Sequence, residues 1–434
     1  MSINKLTLAT HADMDKSVNA TQPPSKLAKL SIAALLAGIS IAAAQDIPVV
    51  NIGGTKISLY GFLQLNTVYE DGNSQQSSAN PPVKYNWTEI VPKKSSDGSK
   101  AQDGEGRFLF NVNQTRIGFN LAGPQAEGGA EVSGKFEADF ANNQERNNNG
   151  VNGFRIRHSY GQVKFSNIGL TLLAGQTSDL IAPLSAPTLN QGGLRSQGSL
   201  GTRRPMIRLT EAIGPIEVAV AATDDRGSDI PVIPGFQGSL KAKIPASWAG
   251  EKQNVELILS GHYATEETAA DDTTGVKKKD KDGYIAGPTS WSGVASLSLP
   301  VISIINLSGE TFYGQNLKNY SNGSINIKSS PAPGYVGTGF QSIGGWGAAN
   351  IKLPAGFALA GGYGVEAIDE SRWKEGSPKK NSVIFGNLKY NVAETAFIGF
   401  EYANLSTEYA VAKNAEADNG KLNRFELVFN YAFK

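Results

Sequence analysis

Cysteine is absent from this chain of 434 residues, and histidine and methionine occur only three times each. Without cysteine, the chain has neither a disulfide framework nor a cysteine-based metal site. The formal net charge is +1, so no excess of basic residues indicates nucleic acid as a partner. The mean hydropathy of −0.25 is far too low for a bundle of transmembrane helices. Glycine, with 49 residues, is abundant instead, which is unusual for a soluble enzyme.

Only one stretch of the sequence is long and strongly apolar, and it lies near the start. It covers Leu30–Ala44 and follows Lys26 and Lys29. This stretch is shorter than the roughly 18 residues that a transmembrane helix needs. A basic flank, a short apolar stretch and an Ala-x-Ala end predict a secretory signal peptide over residues 1–44, cleaved after Ala44. A buried N-terminal helix or a membrane anchor is the alternative interpretation.

The remainder, residues 45–434, is predicted to form a single domain of alternating segments separated by turn-rich stretches. In one of them Val132 and Phe136 share a face, while Glu131 and Lys135 lie on the other. A period of two predicts a β-strand with one apolar and one polar face. Sixteen such strands are predicted, over residues 57–69, 107–121, 129–140, 153–165, 169–177, 205–213, 215–223, 235–244, 253–264, 291–299, 301–314, 339–352, 356–367, 380–391, 396–407 and 422–433.

The connections between the predicted strands alternate between short and long. An up-and-down meander puts alternate connections at opposite ends, so tight turns gather at one end and long loops at the other. Hydrocarbon offers no hydrogen-bond partner to an open strand edge. The pattern therefore predicts an all-β, transmembrane, antiparallel up-and-down barrel in the outer membrane of a Gram-negative bacterium, with long extracellular loops and short periplasmic turns. The strict alternation within 422–433 makes this the closing strand, paired with 57–69. A secreted β-sandwich, a solenoid or an adhesin is the alternative.

A sixteen-stranded barrel leaves an aqueous channel, and the third long loop, residues 178–204, is predicted to narrow it. This loop is unusually apolar for an exposed segment, with Leu180, Ile181, Leu194 and Leu200 among its members. So much apolar surface needs a packing partner, and folding inward against the barrel wall supplies one. Packing of the loop on a neighbouring subunit is the alternative.

Basic residues cluster around this loop and are predicted to line the channel. Strand parity turns Phe154, Ile156 and Tyr160 outward together with His158, to which we assign no function. The guanidinium group binds carboxylate and phosphate bidentately, and arginine rings favour anions. A ladder of arginines balanced by acids, with weak selectivity, is the alternative. The predicted lining residues are Arg116, Arg155, Arg157, Arg195, Arg203, Arg204 and Arg208, together with Lys135, Glu137 and Asp139.

Five segments over residues 115–210 resemble the DcaP-like porins of the trimeric outer-membrane porin superfamily. They are "TRIGFNLAG", "SGKFEADF", "FRIRHSYGQV", "LLAGQTSD" and "RRPMIRLT", in the family's order. The resemblance implies a homotrimer of sixteen-stranded barrels that passes small anions such as dicarboxylates. Ile117, Ser178 and Leu209 depart from the residues that are usual in the family. The family's arginine positions correspond here to Arg116, Arg155, Arg157, Arg204 and Arg208.

These observations predict a porin for passive diffusion of small hydrophilic solutes that prefers anions. A general, weakly selective or phosphate-type porin is the alternative, followed by a non-conducting structural barrel or adhesin. No G-x-S-x-G, H-E-x-x-H or P-loop motif is present in the sequence, so we predict neither catalytic residues, cofactor nor metal. Asp271, Asp272, Asp280 and Asp282 lie in a charged loop that we expect to be solvated. The expected partners are outer-membrane lipid, lipopolysaccharide and the barrel-assembly machinery, whose signal the strand ending at Phe433 resembles.

Overall fold

The computed structural model describes the chain from residue 49 onward with several gaps in the long connections. The predicted signal peptide over 1–44 and the four aspartates of the charged loop lie outside the described part. No helix in that part is long and apolar enough to cross a membrane. The described residues are 49–72, 90, 106–126, 128–142, 153–190, 192–225, 233–265, 267–269, 284–286, 289–320, 340–368, 378–410 and 419–433.

Sixteen antiparallel strands form one closed sheet, and each of the sixteen predicted strands is present. They are β1 (Thr55–Glu70), β2 in two segments (Arg107–Asn111 and Arg116–Gln125), β3 (Ala130–Asn142), β4 (Gly153–Phe165), β5 (Leu170–Ser178), β6 (Arg203–Ile213), β7 (Ile216–Thr223), β8 (Gly235–Pro245), β9 (Asn254–Ala264), β10 (Ser290–Ile302), β11 (Ile305–Gln315), β12 (Gln341–Lys352), β13 (Phe357–Ile368), β14 (Pro378–Ala393), β15 (Ala396–Tyr409) and β16 (Gly420–Phe433).

Minor elements lie at the ends of these strands. The short strand Val50–Ile52 folds back on β1, and Glu267–Ala269 pairs with Tyr284–Ala286 in a small separate sheet. Short 3-10 turns cover Ser247–Ala249, Leu317–Asn319 and Pro354–Gly356.

The barrel closes where the first strand meets the last. Leu65 lies opposite Phe429, and the pairing runs from Gly61 opposite Phe433 to Glu70 opposite Arg424. Each other strand pairs with its neighbours in the chain, so there is no free edge strand in the barrel. The predicted pairing of the closing strand with the first strand is confirmed.

The two faces of the wall differ as the alternation predicts. On β16, Phe425, Leu427 and Phe429 are exposed on the outside of the barrel, whereas Arg424 and Glu426 are buried on the inside. The same apolar exterior continues around the barrel, with Leu63, Ile207, Leu259 and Ile384 among many exposed residues. A continuous apolar exterior around a polar interior is the arrangement that a hydrocarbon surrounding requires.

Candidate pore constriction

The loop between β5 and β6 folds into the barrel, as its apolar composition predicts. Ile181 and Leu200 are buried in one cluster with Phe312 of the wall. Leu194 is buried in a second cluster with Trp346 and other wall residues. These contacts with the wall bury the apolar side chains of the loop, which would otherwise be exposed to solvent. The loop therefore crosses the lumen and narrows it.

Hydrogen bonds to wall carboxylates fix the loop at two further points. The amide of Leu184 donates to Glu310 Oε1 at 2.8 Å. The amide of Leu189 donates to Glu401 Oε2 at 2.5 Å, and the hydroxyl of Thr188 donates to the same carboxylate at 2.7 Å. Hydrogen bonds to charged acceptors are stronger than neutral ones, so the course of the loop is well defined.

The tip of the loop rests directly on the main chain of the wall. A Cβ at position 364 would lie too close to the carbonyl oxygen of Gln197, and one at position 198 would lie too close to the carbonyl oxygen of Gly345, so both would clash. Gly198 also has φ of 108°, a conformation that side chains other than glycine rarely adopt. The close approach brings Arg195, next to the tip, into the lumen.

Opposite charges meet on the inner surface of β2, β3 and β4. Asp139 accepts two hydrogen bonds from Arg155, at 2.8 and 2.7 Å, and one from Arg157 at 2.9 Å. Glu137 accepts from Arg157 Nε at 2.7 Å and lies 3.4 Å from Arg116. The ammonium group of Lys135 lies 3.7 Å from Glu137. All six side chains therefore point inward, on the side on which parity places them.

His158 and Tyr160 face inward, so their predicted outward orientation is wrong. Glu137 lies opposite His158, whereas the next residue, Ala138, lies opposite Ile156. Arg157 is thus the extra residue of a β-bulge, which reverses the parity of everything after it in β4. The His158 ring lies 3.0 Å from the hydroxyl of Thr177. Because of the bulge, Arg157 and His158, which are adjacent in sequence, both face the lumen.

Two arginines of the loop and its exit have no acid partner in the part of the chain that the structure describes. Among the described residues, neither Arg195 nor Arg203 makes a side-chain hydrogen bond or ion pair. Both line a cavity of about 330 Å³ together with Arg116, Arg155 and Arg157. Desolvation, followed by repulsion from Arg155 and Arg157, lowers the pKa of Arg195 to about 10. With Lys135, six basic side chains lie near three carboxylates, those of Glu137, Asp139 and Asp179, so positive charge is in excess.

Arg204 and Arg208 lie outside this cavity, although both point inward. Arg204 is buried, with Nε at 2.7 Å from Asp179 Oδ1 and a further ion pair to Asp225. Its guanidinium also stacks 4.0 Å from the ring of Tyr320. Arg208 points inward four residues further along β6 and does not line the cavity. Arg204 therefore anchors the loop exit to the wall, a role that parity alone does not distinguish from lining the pore.

Two further features were missed by the sequence interpretation. Arg424 pairs with Glu401 at 2.8 Å and lies 3.6 Å from Glu426, all three fully buried. Ile90, from the first long connection, is buried among wall residues and its carbonyl accepts a hydrogen bond from Tyr409 at 2.7 Å. The alternation of β16 predicts an inward Arg424, but a single sequence gives no signal for its partner or for Ile90.

Solved structures with the same architecture come from bacterial outer membranes. The outer membrane channel DcaP of Acinetobacter baumannii is similar over 88% of this chain and 99% of that chain, with a TM-score of 0.67 and 17% identity. The fold is that of the porin barrel. OmpF of Salmonella typhi matches with a TM-score of 0.54 and 10% identity, over 89% of this chain and 100% of that chain. OprB of Pseudomonas putida matches with a TM-score of 0.51 and 10% identity, over 87% of this chain and 94% of that chain.

The resemblance drawn from the five sequence segments is confirmed at the level of this fold. No protein-family model matches the chain, and no curated protein matches it in sequence. At such low identities a structural likeness concerns architecture. What passes through the porin barrel must therefore be inferred from the residues that surround its constriction.

Proposed function

We propose that this chain is an outer-membrane porin for passive diffusion of small hydrophilic solutes, with a preference for anions such as dicarboxylates. The observation that carries the proposal is the cavity beside the inward loop, where the guanidinium groups of Arg195 and Arg203 lack acid partners among the described residues. A guanidinium binds carboxylate in a planar, two-point geometry. A solute with two carboxylates can bridge two such groups.

The apolar exterior and the closed sheet support an outer-membrane location. The signal peptide over residues 1–44 is part of the proposal, because a barrel must cross the inner membrane before it inserts. Lipid and lipopolysaccharide would then surround the exterior, and the barrel-assembly machinery would read the C-terminal strand. We further propose a homotrimer, as in the trimer form of OmpT of Vibrio cholerae, which has the same fold with a TM-score of 0.52.

A planar-bilayer experiment tests this function. Purified protein should insert in discrete conductance steps, and succinate added to the chloride solution should lower the current in a concentration-dependent way. Succinamide, which has the same length but no charge, is the matched control and should leave the current unchanged. Absence of conductance would favour a structural barrel, and equal effects of both compounds would remove the dicarboxylate preference.

A further inference from the structure

The two carboxylates beneath the arginines of β4 bind the guanidinium groups in an ordered pattern. Arg155 donates to Asp139 through Nε and Nη2, so both oxygens of that carboxylate accept from one guanidinium. Arg157 donates through Nε to Glu137 and through Nη1 to Asp139. Asp139 therefore binds two arginines at once, and Glu137 binds the second of them. Each guanidinium is fixed at two of its nitrogen atoms, which determines the plane in which it lies.

Both guanidinium groups keep donors that the acids do not use. A guanidinium has five N–H donors in one plane, and Arg155 and Arg157 each use two of them in these contacts. Neither side chain makes another hydrogen bond within the described part of the chain. Both residues line the cavity beside the inward loop. The remaining donors are therefore available to a solute in that cavity.

The acids are much less accessible than the arginines that they bind. The side chains of Asp139 and Glu137 are 3% and 4% exposed, whereas those of Arg155 and Arg157 are 32% and 15% exposed. Glu137 is fixed in turn by the hydroxyl of Tyr60, which donates to its Oε2 at 2.8 Å and leaves Oε1 for Arg157. A solute therefore has far more access to the guanidinium groups than to the carboxylates.

A carboxylate in this position has two opposing effects on an anion. Its charge repels the anion, and at about 8 Å in water one charge changes the local concentration of a monovalent ion about twofold. Its hydrogen bonds fix the guanidinium groups, so that less side-chain entropy is lost when a solute binds. Chloride is spherical and gains little from a fixed plane of donors. A carboxylate is planar and binds a guanidinium at two points, so it gains from both the charge and the orientation of the arginines.

We propose that Asp139 and Glu137 are positioning residues for dicarboxylate binding. They weaken the attraction of the constriction for simple anions, and they strengthen its affinity for a solute with planar carboxylates by fixing Arg155 and Arg157. This role rests on the proposed preference for dicarboxylates and deepens it, because it names the residues that favour a dicarboxylate over chloride.

The first test changes Asp139 to asparagine, which keeps the shape of the side chain. The amide of Asp139→Asn has one acceptor oxygen and turns its NH2 group toward guanidinium donors, so it cannot keep both arginines in place. In a potassium chloride gradient, the chloride-to-potassium permeability ratio should rise about fourfold, because losing one negative charge changes the concentration of each ion about twofold in opposite directions.

Succinate block of the same variant should become weaker although the pore has lost a negative charge. Loss of one charge-assisted hydrogen bond weakens binding about tenfold, whereas reduced repulsion of a dianion strengthens it only about fourfold. The net result is block that is about threefold weaker than in wild type. If Asp139 were only a counter-charge, block would become about fourfold tighter, and that result would overturn the proposal. Glu131→Gln, on the same strand but outside the cavity, is the control and should leave the block unchanged.

The second test changes no charge. Tyr60→Phe removes only the hydroxyl that fixes Glu137, and succinate block should become about threefold weaker. Tyr160→Phe is the matched control, because the hydroxyl of Tyr160 makes no hydrogen bond within the described residues. A purely electrostatic role of Glu137 predicts block of wild-type strength in Tyr60→Phe, which would overturn the positioning role. This variant loses a single hydrogen bond, so it decides even where Asp139→Asn does not fold.

Failure of the positioning role and failure of the proposed function give different results. Absence of succinate block in the wild-type protein would overturn the proposed dicarboxylate preference, and the role of the two acids with it. Block of the wild-type protein that becomes tighter in Asp139→Asn would overturn only the positioning role. Block that is weaker in both Asp139→Asn and Tyr60→Phe, with a raised permeability ratio in the former, is the result that the proposal predicts.

Discussion

The carbonyl oxygen of Gln197 occupies the space that a side chain at position 364 would need, so Gly364 is the wall residue against which the loop tip packs. Leu194 packs beside the same position and is buried with Trp346. This contact sets how far the tip, and Arg195 with it, projects into the lumen. The width of the pore at the constriction therefore depends on residues of the wall as well as on residues of the loop.

Replacing Gly364 by valine should push the tip into the lumen and lower the single-channel conductance. The added methyl groups should also cost about 1–3 kcal/mol in the free energy of unfolding, as overpacking generally does. The matched control is Gly347→Val, on the neighbouring strand, where nothing lies within 4 Å of an added Cβ. A conductance equal to that of wild type in Gly364→Val would show that the tip does not limit the current.

Removing the guanidinium groups of Arg195 and Arg203 should weaken the anion preference without unfolding the barrel. We expect Arg195→Ala and Arg203→Ala each to lower the chloride-to-potassium permeability ratio about fourfold, because one charge at about 8 Å in water changes the local concentration of each ion about twofold, in opposite directions for anion and cation. Lys164→Ala serves as the control, because Lys164 is 48% exposed and pairs with Glu131 at 3.7 Å near a strand end. If the protein with both Arg195→Ala and Arg203→Ala had the same permeability ratio as wild type, the charges that select the ion would lie elsewhere.

Arg204 and Arg208 should differ in their effect on stability. Arg204→Ala leaves Asp179 and Asp225 buried without their cation, which should cost about 3–5 kcal/mol in the free energy of unfolding. Arg208→Ala, on the same strand and face, removes no such ion pair among the described residues and should cost less. Thermal unfolding followed by circular dichroism compares them. Equal losses would contradict the anchoring role of Arg204.

Part of the anion preference should be lost in alkali, when Arg195 loses its charge. A guanidinium is charged below its pKa and neutral above it, and the pKa of Arg195 is lowered to about 10. The permeability ratio should therefore fall as the pH passes about 10. Arg195→Ala should show a smaller fall over this range. An equal fall in Arg195→Ala and in wild type would show that another group is responsible.

The barrel was predictable because each strand must present opposite faces to different surroundings. Alternation in the segment that begins at Ala130 fixes both the strand and its orientation, and the same rule gives the inward position of Arg424 on the last strand. The short and long connections then determine the topology. The observed ends of the strands differ from the predicted ends by a few residues, because the turns that end a strand depend on local geometry and not on the period of two.

The constriction was predictable only in part. The apolar composition of the loop indicates that it needs a packing surface. The place where its tip contacts the wall depends on Gly364, which is about 165 residues away in sequence. The bulge at Arg157 leaves no single-residue signature, so the parity of His158 was wrong. Arg204 was grouped with the lining residues because parity reports a direction, whereas its ion pairs with Asp179 and Asp225 depend on tertiary contacts.

The reversal potential of the wild-type protein in a potassium chloride gradient tests the central claim most directly. The excess of unpaired arginine charge at the constriction predicts the sign of a chloride-selective channel, with a chloride-to-potassium permeability ratio above one. A ratio of one or below would contradict the account.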